Sequence, residues 1–340
     1  MRRSKLIAAL TAEQGLVVVG PEALTIRRVR CGRGFSYRTS AGAVLRADDL
    51  ARVRAMAMPP AYVDVRYAAD PAAHLQAVGT DAAGRLQYRY HANWTAVREA
   101  LKARRLGRIA RSLPAIKRAV AKALAGESED AALAIAAVVH LVSLTAIRAG
   151  GENYARDNGT RGATTLLKSN VKIDGRTIVL AFKAKGGKSV TKEVRDARLQ
   201  RALARLLTLP GRRLFQYRDA EGNVRSVRAA DVNGFLRGIA GRRISLKDFR
   251  MLVASSEALE ALTSLAPASS ERGRRSQLKV AMTTVAEELA NTAAIARKSY
   301  VHDAIVDAFE DGTLSRLRKP PRSGQRKADM LAKLVARHGQ

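Results

Sequence analysis

The chain has 340 residues, 47% of them hydrophobic, which supplies a core for each of two ordinary domains and excludes a fully disordered protein. Its 61 lysines and arginines outweigh 30 aspartates and glutamates for a net charge of +31, a balance that attracts polyanions and suits the handling of small neutral metabolites poorly. Nucleic acid is the expected partner, and with Cys31 the one cysteine and five histidines (His74, His91, His140, His302 and His338) outside HExxH spacing, disulfide and zinc frameworks are excluded, leaving a reducing compartment and metal-free chemistry.

In chain order, the first residues combine a basic start with a short apolar run that Glu13 and Gln14 interrupt, so they read as mature protein rather than a signal peptide. From Val17 to about Trp94, short β-type runs such as 34–37 and 62–67 stand between Gly, Pro and Asp and predict a small β-rich domain. A short helix over 48–57 ends at Pro59-Pro60. Trp94 is assigned to the core. Ala/Leu/Arg runs with helical spacing then begin at 96–106 and 116–125. The most apolar stretch, 131–147, carries His140, Ser143 and Thr145 and falls short of the roughly 20 apolar residues that cross a bilayer. It is a core helix, and no membrane partner is expected.

Two strand runs, 171–173 and 177–182, flank the Asp174-Gly175-Arg176 turn, and Lys183-Ala184-Lys185-Gly186-Gly187-Lys188 forms a second turn before 189–191. This spacing predicts a three-stranded antiparallel sheet with a basic, glycine-rich tip. Helical spacing resumes over 196–207, 230–239, 246–265 and 274–289, and a last possible helix covers 328–337. The fold class is therefore α+β: a small β-rich N-terminal lobe over 1–98, a larger, mostly α-helical lobe over 99–315 with a β insertion at about 171–195, and a basic tail over 316–340. The tail is read as a flexible phosphate-binding extension or as disorder.

Phosphate-loop and GxSxG patterns are missing from the sequence. Isolated cations and one tyrosine stand out instead. Arg148 ends the apolar helix ahead of Gly150-Gly151, where a guanidinium calls for an anionic partner, although a cation offsetting a helix dipole looks the same. Arg250 leads into Met251-Leu252-Val253, and an ion pair with Asp248 is its plain alternative. Lys185 sits among glycines that let a backbone approach a ligand, or else on a solvated tip. Tyr300, in Arg297-Lys298-Ser299-Tyr300-Val301-His302, has cations able to hold a phosphodiester and stabilise a phenolate, or is an amphipathic packing residue.

The order of these segments resembles the catalytic domain of the type IB DNA topoisomerases of bacteria and poxviruses: Ile147-Arg148 with Tyr154-Ala155-Arg156-Asp157-Asn158-Gly159 and Gly162-Ala163-Thr164-Thr165, then Phe182–Lys188, Lys247-Asp248-Phe249-Arg250, Asn291-Thr292 and Arg297–His302. Gly32–Tyr37, Pro59–Val65, His74–Asp81 and Gly84–His91 resemble the bacterial N-terminal domain, so the resemblance spans about 27–312. It implies a monomeric, two-lobed clamp on double-stranded DNA, in the cytoplasm at the nucleoid, that relaxes supercoils without ATP or an essential metal. Tyr300 would be the nucleophile forming a 3′-phosphotyrosine, Arg148 and Arg250 would hold the nonbridging oxygens, Lys185 would protonate the leaving 5′-oxygen, and Asn291 would donate a further hydrogen bond. Gln87, Tyr88, Arg89 and Tyr90 on one alternating strand, with Tyr154, Lys168, Lys247, Arg297 and Lys298, are the expected DNA contacts; for the strand, tyrosines that cover the domain core are the alternative.

Several positions depart from the bacterial pattern: Lys183 for Arg, Ala184 for Gly, Gly151 for Asn, Met251 for Thr and Ala293 for Pro. A tyrosine recombinase shares the Arg, Lys, Arg, Tyr order, but its usual histidine three residues before the second arginine is Lys247 here, and its N-terminal arm is helical. A non-catalytic basic DNA-binding protein would leave the ordered constellation without purpose.

Overall fold

The computed structural model describes residues 3–316 and 324–337, and the chain divides into two units, Met1–Leu101 and Lys102–Gln340. In the first, helix α1 (Arg3–Ala12) precedes strands β1 (Ile26–Cys31) and β2 (Gly34–Arg38), helix α2 (Ala47–Ala55), and strands β3 (Val63–Tyr67), β4 (Leu75–Thr80) and β5 (Leu86–Tyr90). One antiparallel sheet of order β2-β1-β3-β4-β5 results. The β1–β2 register, from Arg27 opposite Arg38 to Cys31 opposite Gly34, closes on a two-residue turn whose Gly32 takes φ +55°. Ile26, Val53, Val65, Tyr67 and Ala77 are buried together beneath it. Arg28 fastens the Pro59-Pro60 turn to β1: its guanidinium donates to the carbonyls of Met58 (2.9 Å), Pro59 (3.0 Å) and Tyr62 (2.6 Å) and lies over the Phe35 ring.

Helix α3 (Trp94–Ala125) runs unbroken through Pro114, where the sequence reading has two shorter helices. Leu106, Ile109, Leu113, Ile116, Val120 and Leu124 keep one face buried on both sides of the proline, and that burial offsets the lost backbone bond. Helix α4 (Ala131–Thr145), capped by Asp130 accepting from Leu133 N, is the buried axis of the second unit and ends on Ala146 at φ +51°. Helix α5 (Glu152–Asn158) leads into strands β6 (Val171–Asp174), β7 (Thr177–Lys183) and β8 (Ser189–Val194), a three-stranded sheet of order β6-β7-β8 with every pairing antiparallel.

Around α4 follow helix α6 (Ala197–Thr208), a hairpin of β9 (Gln216–Arg218) and β10 (Val224–Ser226) that the sequence reading lacks, and helices α7 (Ala229–Ala240), α8 (Leu246–Thr263), α9 (Glu271–Glu288), α10 (Ala293–Ser299), α11 (Asp303–Glu310) and α12 (Thr313–Arg316). Helix α13 (Gly324–Arg337) buries Ala328, Leu331 and Val335 against this unit, touching α8 and α11. Over 324–337 the expected flexible tail is therefore a packed amphipathic helix, because its apolar residues recur at helical spacing; the rest of that tail beyond Arg316 lies outside the described residues. The fold is α+β, as the patterning requires.

Candidate active site

The short α10 is capped by Thr292 and ends at Tyr300, whose own N–H donates to Ala296 O (3.0 Å) and whose carbonyl accepts from Ser255 Oγ on α8 (3.0 Å). The chain is thus pinned on both sides of the phenol, and the residue is only 9% exposed. The Arg250 guanidinium lies 5.1 Å from the ring centroid. Burial pushes the Tyr300 phenol up, but the charge and hydrogen bond of Arg250, joined by the charges of Arg148 and Lys247, outweigh it and leave the phenol below the usual tyrosine range. Tyr300 is easier to ionise than its burial alone would allow.

Arg250 is itself buried at 2% exposure, its Nη1 donating to Ala146 O and its Nη2 to Leu289 O (3.1 Å). Arg148 lies beyond the end of α4 and reaches across to Ala290 O (3.4 Å) and Asn291 Oδ1. Neither is an ordinary ion pair: Asp248, the plain partner for Arg250, instead accepts from Arg105 Nε (2.6 Å) and from Ser245. Among the described residues the acceptors of Arg148 and Arg250 are neutral oxygens, so no carboxylate cancels either guanidinium's charge. Arg250 Nε and Asn291 Nδ2 are buried with no partner among the described residues. Two donors without acceptors beside two cations form an arrangement that an anion with several oxygens completes.

Backbone geometry fixes Arg148. Its carbonyl accepts from Ala163 N (2.7 Å), and Ala149 O accepts from Thr164 N (2.8 Å). A Cβ on Gly162 would stand 2.6 Å from Arg148 O and 2.5 Å from Gly150 N, so only glycine permits this approach. The β7–β8 hairpin carries Lys185 on a tip where Gly186 and Gly187 take φ +79° and +74°. Ala184, next to it, lines one small cavity with Arg148, Arg161, Arg250 and Ala290. The Lys185 ammonium stands 5.7 Å from the ring centroid of Tyr154, an exposed residue of α5. Of the sequence departures, Ala184 and Met251 are buried in the core.

The remaining candidates separate. Lys247 is exposed on the first turn of α8, and its charge reaches Tyr300. Arg297 is paired with Asp303, and the exposed Lys298 offers its carbonyl to Lys102 Nζ (3.4 Å). The Lys168 ammonium caps the C-terminal carbonyls of α6, donating to Leu207 O (3.0 Å) and Leu209 O, which removes the reason to place it on a phosphate. In the first unit, Tyr88 and Tyr90 on edge strand β5 are 47% and 43% exposed, so they do not cover the core. Their rings stack (6.1 Å, 17°), and Tyr90 stacks on Trp94 (5.9 Å, 19°). Trp94, expected in the core, is half-buried in this surface ladder because it begins α3 beside the sheet edge. Arg89 is exposed, and Gln87 is held by Asp81 Oδ2 (2.8 Å). Sequence reasoning missed Arg161, Lys188, Lys192 and Glu288. Lys188, in the glycine-rich turn, was the one with a visible signal.

Among the described residues, no helix is long and apolar enough to cross a membrane. Comparison with known proteins places the chain in a family. Residues 92–321 match the family described as eukaryotic DNA topoisomerase I, catalytic core, and residues 34–81 match the bacterial DNA topoisomerase IB, N-terminal domain. The DNA topoisomerase 1B of Acanthamoeba polyphaga mimivirus is 30% identical over 270 residues, covering 77% of this chain and 80% of that protein. The solved XerH site-specific recombinase, bound to its difH substrate, aligns with a TM-score of 0.36 and 12% identity over 61% of this chain and 53% of its own. With a catalytic-core match over most of the chain and a relative at this identity and coverage, the protein belongs to the type IB DNA topoisomerases.

Proposed function

We propose that the protein relaxes supercoiled DNA by cutting and resealing one strand through Tyr300. Its phenolic oxygen attacks a backbone phosphorus and gives up its proton to water, the bond from phosphorus to the 5′-oxygen breaks, and a 3′-phosphotyrosine remains. Arg148 and Arg250 hold the nonbridging oxygens as charge reorganises in the pentavalent transition state, and Asn291 Nδ2 donates to one of them. Lys185 protonates the leaving 5′-oxygen. Because the phosphodiester's bond energy is kept in the tyrosyl link, rotation and reversal need neither ATP nor a divalent metal; torsion in the DNA drives the net reaction. The observation that carries this reading is the buried Arg250 against the Tyr300 ring, with a phenol made more acidic and unpartnered donors beside it.

On this reading β5 meets the duplex through Tyr88, Arg89 and Tyr90, Lys247 lies beside the scissile phosphate, and the +31 charge makes binding steeply salt-dependent. One copy acts on one duplex, at the cell's DNA. The test is relaxation of positively and negatively supercoiled plasmid in EDTA without ATP, with Tyr300→Phe alongside. Relaxation of both signs by the wild type, and binding without relaxation by the variant, is the expected result. Equal behaviour of the two proteins would overturn the assignment.

A further inference from the structure

The C-terminal end of α9 gathers more than the two arginines. The helix closes in a Schellman turn: Asn291 N donates to Ala286 O (2.8 Å) and Ala290 N to Glu287 O (3.1 Å), with Ala290 at φ +48°. The turn aims Leu289 O at Arg250 and Ala290 O at Arg148. Two further acceptors of this turn go to the hairpin. Lys188 Nζ donates to Asn291 O (3.0 Å), and Lys192 Nζ on β8 lies 2.8 Å from Glu288 Oε2 with only 17% of its side chain exposed. At the hairpin's other root, Lys183 O accepts from Arg161 N (2.7 Å).

We infer that Lys188 and Lys192 are positioning residues that register the Lys185 hairpin against the phosphate clamp, with Glu288 and the Asn291 carbonyl as their anchors. This rests on the reading of Lys185 as general acid. The tip is closed by its own backbone, Ala184 N donating to Lys188 O (2.7 Å) and Gly187 N to Ala184 O (3.0 Å), which fixes the turn but leaves the hairpin free to tilt as a unit. Yet a proton donor must stand within hydrogen-bond reach of the leaving oxygen as the P–O5′ bond breaks and the bond from Tyr300 to phosphorus forms. Two cation anchors four residues apart, on the same turn that orients both arginines, restrict that freedom. They couple donor and clamp into one rigid geometry. A displacement of about 1 Å costs on the order of a hundredfold in rate, so losing one anchor slows cleavage by roughly ten- to a hundredfold.

The experiment uses the full chain and a duplex whose cleavage site has first been mapped with the wild-type protein, made with either oxygen or sulfur at the 5′ bridging position. A thiolate leaves without protonation, so sulfur bypasses the general acid. Lys188→Ala and Lys192→Ala, like Lys185→Ala, are expected to be slow on oxygen and close to wild type on sulfur, whereas Arg148→Ala stays slow on both. The exchanged pair Lys192→Glu with Glu288→Lys should recover cleavage of the oxygen substrate that Lys192→Glu alone loses, which also shows that the fold is intact. Wild-type speed of both anchor variants on oxygen, or equal slowing on both substrates, overturns the inference. Absence of any phosphotyrosyl product from the wild type would instead overturn the reading of Tyr300.

Discussion

Replacing Arg250 with alanine separates the two roles the structure gives it. The guanidinium is 2% exposed and its removal strands two carbonyls, Ala146 O and Leu289 O, each costing about 1–3 kcal/mol when left unpartnered. Against this, burial already works against the Arg250 charge, and its removal returns part of a desolvation penalty of several kcal/mol. The net loss is about 1–3 kcal/mol, or a fall of roughly 2–12 °C in Tm for a unit of this size. Loss of the transition-state donors costs about 10²–10³ in cleavage rate. The Tyr300 phenol also rises, since burial is then opposed only by Arg148 and Lys247. Wild-type cleavage should climb with pH and level off below the usual tyrosine range; in the variant the rise should continue to higher pH. Single-turnover cleavage over about pH 6–10, with ultraviolet titration against Tyr300→Phe, measures both. Arg250→Lys keeps a charge without the two-pronged geometry, so it should restore the phenol's acidity more than the rate. Cleavage by Arg250→Ala within about tenfold of wild type, with the Tyr300 titration unmoved, would refute the reasoning.

Other substitutions test the frame around the site. Gly162→Ala forces a Cβ within 2.6 Å of Arg148 O and 2.5 Å of Gly150 N; chemical denaturation should show a loss of about 1–3 kcal/mol or more, and an unchanged midpoint would contradict the close approach. Ala290→Gly relieves an L-residue at φ +48°, a gain of about 1–2 kcal/mol reduced by the greater freedom of glycine in the unfolded chain, about 0.4–1 kcal/mol; calorimetry should therefore show a raised Tm. Lys168→Ala should cost about 0.3–1 kcal/mol at the end of α6 while the salt slope of DNA binding stays as in the wild type, and a slope shallower by about one would put that lysine back on a phosphate.

What was legible in the sequence follows from what each signal physically is. Periodicity exposed α4, the Asp174-Gly175 and Gly186-Gly187 turns exposed the β6–β7–β8 sheet, and Pro59-Pro60 marked the end of α2. The β9–β10 hairpin escaped because strands of three residues carry almost no alternation. Trp94 was misplaced because ring stacking on a sheet edge depends on the neighbouring strand, which composition does not display. At the site, Arg148, Arg250 and Tyr300 were visible as cations and a phenol in unusual company. Their partners were not. Ala146, Leu289 and Ala290 act through backbone carbonyls, which every residue possesses, and two of the three sit at positive φ where glycine would have been the sequence signal.

That choice of partners has a consequence. Several other cations of the second unit meet carboxylates, as in Arg105 with Asp248 and Arg297 with Asp303, and such pairs cancel charge. Arg148 and Arg250 are held by neutral oxygens at the ends of α4 and α9, where the helix dipoles favour a cation by about 0.3–2 kcal/mol without neutralising it. Orientation is thereby separated from charge, and both guanidiniums stay available to a phosphate. Asn291 makes this testable, since its Oδ1 accepts from Arg148 and its Nδ2 has no acceptor among the described residues. Asn291→Ala removes both and should slow cleavage by about tenfold or more, somewhat less than a full oxyanion donor. Asn291→Asp keeps the acceptor, the shape and the bond to Arg148, yet it places a negative charge where the phosphate oxygens go and works against ionisation of Tyr300. If the clamp depends on uncancelled charge, the aspartate variant must be the slower of the two, by a margin that narrows as pH falls toward the aspartate's own range. Were it equal to or faster than the alanine variant, hydrogen-bond geometry alone would govern the site, and the neutral partners of the two arginines would have no catalytic meaning.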